Sequence, residues 1–140
     1  MENFKWIWWI AAGLVAVLLI LMAVDVARSQ TVGVTMTWTA PGDDGLVGRA
    51  SQYDLRYSQN AIVGTDTLSW WNAAVQATGE PLPGISGSTD SLRVLGLAPS
   101  SRYYFIIKAA DEVPNWSGYS NVAIKDTPDL IPPARILDLR

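Results

Sequence analysis

Between residues 91 and 121 the chain reads SLRVLGLAPSSRYYFIIKAADEVPNWSGYSN, two runs joined by a proline-marked corner, and few folds accommodate that pattern. Leu92, Val94 and Leu97 precede Pro99; Tyr103, Phe105, Ile107 and Ala109 then alternate with Arg102, Tyr104, Ile106 and Lys108. A period of two is that of a strand with one buried face, so the spacing predicts strands over 89–96 and 102–110. The same alternation recurs upstream. Val34, Met36 and Trp38 alternate with Thr35, Thr37 and Thr39 ahead of the polar turn APGDDG, and Tyr53, Leu55 and Tyr57 alternate with Asp54, Arg56 and Ser58. A final strand is expected over 119–125. The stretch TLSWWNAAV over 67–75 is less regular and reads as a short connecting strand region, with Trp70 or Trp71 folding over the edge. Residues 80–84, EPLPG, read as a loop because each proline removes a ladder donor. The class expected is all-β.

Residues 6–24, WIWWIAAGLVAVLLILMAV, form a run of 19 residues without a charge, preceded by Lys5 and followed by Asp25 and Arg28. As a helix this run spans roughly 30 Å of hydrocarbon and exceeds the roughly 7 to 15 apolar residues of a signal peptide, which favours a membrane anchor over 1–29. Trp6, Trp8 and Trp9 then sit at one interface, and Lys5 with the amino terminus favours a cytoplasmic start. The remainder is expected outside the cytoplasm. Ala27 and Ser29 also satisfy the small-residue rule for cleavage before Gln30, which would make the protein secreted. A third reading is a filament subunit whose apolar helix packs with its neighbours, although Lys5-Trp6 lacks the glycine usual at such processing sites.

At 140 residues the chain has room for one ordinary domain beside that segment. Its net charge is -3, with acids and bases scattered after residue 30, so no basic stripe is available to track phosphates and nucleic acid is not an expected partner. Without histidine or cysteine, the usual general base, thiolate nucleophiles and the commonest metal ligands are missing. No nucleophile, base and orienting group can be assembled, so an enzyme is not expected.

The spacing Leu97, Pro99, Ser101, Tyr103 resembles the tyrosine corner of Greek-key sandwiches, in which a phenol at the start of strand F bonds back to the preceding crossover. With Trp38 in the place of a strand B core tryptophan and YDLRYS in that of strand C, residues 34–127 resemble the fibronectin type III domain. Phrases similar to TWTAPGDDG, YDLRYS and AADEVPNWSGYSN recur together in exported bacterial multidomain proteins, which implies a bacterial source. The resemblance implies a seven-stranded immunoglobulin-like Greek-key sandwich over 30–128, preceded by one apolar helix, with a core of Trp38, Tyr53, Leu55, Leu97, Tyr103, Phe105 and Ile107. It implies a surface display, adhesion or assembly module; an accessory domain of a longer exported hydrolase is the competing reading.

Candidate chemistry is sparse. Asp43 and Asp44 stand in a glycine-bracketed turn of the kind that can hold a hard cation, but lack the further acids of a calcium loop, so an Asx-type turn is expected and neither metal nor cofactor. Asp111, Glu112 and Asn115 are expected to bond their own backbone. Asn115-Trp116-Ser117 satisfies the glycosylation sequon, which a bacterial source would leave silent. Trp70, Trp71, Trp116 and Tyr119 are candidates for an aromatic surface that meets protein or, more weakly, sugar.

Domains of this kind open with a proline-marked strand A, and residues 25–33, DVARSQTVG, are too short and polar to supply one beside a membrane exit. A look-alike stands at the other end. Over 129–140, and most clearly from Pro132 to Arg140, the sequence PPARILDLR carries Ile136, Leu137 and Leu139, apolar enough to add to a sheet edge. It can be the start of a following repeat, a strand that returns to the vacancy in its own domain, or a donor to the next subunit.

Overall fold

The computed structural model describes residues 32–113 and 115–138, which belong to the second of two units, Thr31–Arg140. The expected anchor over 6–24 and Leu139 lie outside the described residues; among those described, no helix is long and apolar enough to cross a membrane.

The protein is all-β. Strands β1 (Val32–Thr39), β2 (Gln52–Ser58), β3 (Val75–Gln76), β4 (Thr89–Leu97), β5 (Arg102–Ala110) and β6 (Ala123–Asp126) are joined by one short helix, α1 (Thr67–Ala73). They form two antiparallel sheets, a two-stranded one of order β1-β4 and a four-stranded one of order β3-β2-β5-β6. The alternation explains how the sheets face each other. Met36, Leu92, Val94 and Leu97 from the first meet Leu55, Tyr103 and Phe105 from the second in one buried cluster, with Trp38, Tyr57 and Ile107 packed against it. Leu55, Leu97 and Phe105 are fully buried, so this layer carries most of the hydrophobic stabilisation, roughly 1.5–3 kcal/mol for each such side chain. A smaller cluster of Ala50, Tyr53 and Ala109 continues it beneath Trp38.

The corner before β5 is closed by a side chain. The Tyr103 phenol oxygen accepts the Ala98 N–H and Gln59 Nε2, both at 3.0 Å. Thr127, buried at the end of β6, donates its hydroxyl to the Ala98 carbonyl at 2.7 Å and accepts the Ser101 N–H at 2.9 Å, so the corner is fixed from both sides.

Three expectations are corrected. Six strands rather than seven lie among the described residues, and none pairs with the free edge of β1. Residues 67–73 are helical, because the Asp66 carboxylate accepts the Ser69 N–H at 3.0 Å and caps the first turn; the short strand follows at Val75–Gln76. The last strand begins at Ala123, not at residue 119. Ahead of it, the Ser117 and Ser120 hydroxyls accept the N–H groups of Ala109 and Ile107, at 3.1 and 3.0 Å, in positions where a strand would offer carbonyls. The segment therefore follows β5 without being a strand.

Candidate functional site

Helix α1 lies on the outer face of the four-stranded sheet, not over its edge. Trp70 and Trp71 are both buried there against Ile106, and Trp70 Nε1 donates to the Asn60 carbonyl at 2.7 Å. The residues that face outward between them form a stack of alternating cations and rings. The Arg56 guanidinium lies 4.6 Å from the Trp71 ring centre, doubly bonded to the buried Asp54 carboxylate and donating to the Trp71 carbonyl at 3.0 Å. Lys108 Nζ stands 5.7, 5.5 and 5.2 Å from the ring centres of Trp71, Trp116 and Tyr119, and the Trp71 and Tyr119 rings are 5.2 Å apart. Cation–ring contacts of this length are attractive.

The structure thus brings Trp71, Trp116 and Tyr119 together, with Trp70 beside them, but the rings serve one another. Trp71 is buried, while Trp116 and Tyr119 are half-exposed and lie against Lys108. Lys108 was not singled out by the sequence. Its only signal was its outward place in the β5 alternation.

The other flank is open. A cleft of about 370 Å³ runs between β1 and the segment 117–121, lined by Thr37, Trp38, Thr39, Tyr53, Ile107 and Tyr119 among others. A second hollow of about 110 Å³ shares Trp38 and Ile107 with it and reaches Met36, Leu55 and Phe105, so the core itself is approached from this side. Trp38, edge-on to Tyr53 at 5.1 Å, has its indole N–H buried and without a partner among the described residues. A buried donor left unpaired costs about 1–3 kcal/mol, which an incoming acceptor would relieve.

Among the described residues no strand meets the backbone of β1 on that side either. Ala40 N–H donates to the Ser88 carbonyl at 2.8 Å, in register with the pairs Val34 to Val94, Met36 to Leu92 and Trp38 to Asp90. In an antiparallel ladder the bonded pairs alternate, so the even residues bond β4 while the N–H and C=O groups of Thr35, Thr37 and Thr39 point away from β4, to the side where no described strand pairs. The opposite sheet treats its edge differently. Beside the two-residue β3, Leu55 N–H is capped by the Glu80 carboxylate at 3.2 Å.

The acidic loops at one end are locally satisfied in part. Asp111 accepts Asn115 Nδ2 and N–H at 2.7 Å and Val113 N–H at 3.0 Å, bonds that hold its carboxyl below the usual range. Burial in the turn, with Glu112, Asp44 and Asp111 nearby, pushes the Asp43 carboxyl above it. Among the described residues no group of three or more acidic, histidine or cysteine side chains is arranged to hold a metal ion.

The carboxyl-terminal tail runs over 127–138 without a strand, and Ile131, Ile136 and Leu137 are 81, 76 and 77% exposed. Among the described residues it pairs with no strand, its own β1 included. No family model matches the chain, and no curated protein or solved structure is significantly similar to it.

Proposed function

We propose that the chain is a non-catalytic recognition module of the fibronectin type III kind, anchored in or exported across a membrane by its apolar run over 6–24, which binds a protein strand along β1. The observation that carries this reading is the coincidence, on one flank, of three outward backbone positions with a cleft that leads to the core. Strand addition requires both features: main-chain groups give affinity, and pockets for alternate side chains give register. The kind of module is supported by the sheet orders, which correspond to strands B-E and C′-C-F-G of such a domain, no strand among the described residues standing in the place of strand A, and by the Tyr103 bond to Ala98. The role that follows is surface adhesion or assembly outside the cytoplasm. A photoactivatable residue placed at Thr37 of the full chain, in the cells that make it, is expected to capture protein. The same residue at Val63, a loop position 84% exposed, is expected to capture none. Capture at Thr37 no greater than at Val63 rejects the reading.

A further inference from the structure

We propose that the occupant of the β1 flank is the tail of a second copy of this chain, with residues 133–138 paired antiparallel to β1. This rests on the reading of β1 as a strand acceptor and names its ligand.

Polarity and reach exclude the same pairing within one chain. Pro128 and Leu130 border the same hollow as Val32 and Gly33, so the tail departs beside the first residues of β1. Pro128 is held there, its carbonyl accepting the Ser100 N–H at 3.0 Å. An antiparallel partner must begin at the far end, beside Thr39, roughly 23 Å away at the rise of a strand. The three residues 131–133 span at most about 10 Å. Within one chain the tail can run only parallel to β1, the less stable pairing, whereas every ladder among the described residues is antiparallel.

The tail suits the place. From Ala134 to Asp138 every residue offers an N–H, so that with Leu137 beside Thr37 the backbone groups of Arg135 and Leu137 meet those of Thr39 and Thr37, and Pro132-Pro133 stops the pairing at one end. Two registers of side chains are available. One turns Ala134, Ile136 and Asp138 toward the cleft, the other Arg135 and Leu137. The first seats Ile136 against Trp38 and Ile107 and leaves Asp138 at the end of the paired run, so Ile136 becomes the anchoring side chain and Leu137 faces outward beside Thr37. The contact joins unlike surfaces and leaves a free tail and a free cleft at the two ends, so it propagates.

The chain has no cysteine, so the pairing can be read by placing two. Full chains carrying Thr37→Cys are mixed with full chains carrying Leu137→Cys and treated with a short bis-maleimide. The expected product is a covalent dimer of the two kinds of chain, and a ladder of multiples when both substitutions share one chain. Ile136→Asp on the tail-bearing chain should lower the yield at least ten-fold; because Ile136 is exposed in the single chain, this change leaves folding intact. Three results overturn the proposal: no cross-link above a Val63→Cys control, a doubly substituted chain that closes on itself as a monomer, or a yield indifferent to Ile136→Asp. Capture of a different protein at Thr37 without cross-linking between copies rejects the tail as ligand but keeps β1 as acceptor. No capture at all rejects both.

Discussion

The phenol oxygen of Tyr103 accepts the backbone N–H of Ala98 at 3.0 Å, five residues back along the chain, and so ties the start of β5 to the end of the strand that precedes it. Gln59 Nε2 reaches the same oxygen from the end of β2. Tyr103→Phe keeps the ring in the core but leaves both donors without their acceptor. The expected cost is about 1–3 kcal/mol, read as a lower urea midpoint with an unchanged slope. A loss below about 0.5 kcal/mol would mean that water replaces the phenol, as at an ordinary surface position.

The serine hydroxyls that stand in for a strand lead to a second expectation. Ser120→Ala removes the acceptor for the Ile107 N–H, and Ser117→Ala that for the Ala109 N–H. Each should destabilise by about 1–2 kcal/mol and increase amide exchange at the residue it exposes. Serine to threonine at either place retains the hydroxyl and should restore most of the loss.

Lys108 and Arg102 are both cations on β5, in different settings. Arg102 pairs with Asp126 at 2.7 Å, both side chains 60% exposed; the pair holds the Asp126 carboxyl below its usual range but is open to solvent. Lys108 is surrounded by three rings. Lys108→Met should cost about 1–2 kcal/mol and keep that cost in 1 M salt, whereas Arg102→Met should change stability little and lose what effect it has as salt screens the pair. Unfolding at low and high salt distinguishes them.

Alkaline pH should weaken the fold through Tyr53. Burial, with Asp90 as the acceptor of its hydroxyl at 2.8 Å, pushes the phenol up to about 12 from its ordinary 10. The folded state therefore holds this proton more tightly than the unfolded chain does. That stabilisation is complete below pH 10 and is lost as pH rises toward 12, on the order of 2 kcal/mol in all. Tyr53→Phe should flatten the decline over that window when stability is followed against pH.

Much of this architecture was legible in the residues. The threonines at 35, 37 and 39 marked the outward side of β1, and strands β4 and β5 lie within one residue of where the alternation put them. Helix α1 was not legible, since Thr67 and two tryptophans favour a helix weakly and its signal was only the Asp66 cap. The late start of β6 was hidden because serine hydroxyls can stand in for carbonyls, which no periodicity reports. The cation–ring stack joins residues 56, 71, 108, 116 and 119, a proximity set by sheet pairing and not by spacing. The sequence offered no proline-marked strand ahead of β1, and among the described residues none pairs with its outer edge. That this flank opens onto Met36, Leu55 and Phe105 became visible only once both sheets were in place.

The most direct test of β1 as a strand acceptor is amide exchange at its own residues, in dilute full chain with and without a synthetic peptide of residues 132–140. The amides of Thr35, Thr37 and Thr39 should exchange fast alone and slow at least ten-fold with saturating peptide, while those of Met36 and Trp38, already bonded to β4, stay unchanged. Threonine amides that do not respond to the peptide, or that are already as protected as Met36 without it, would contradict an open edge at β1.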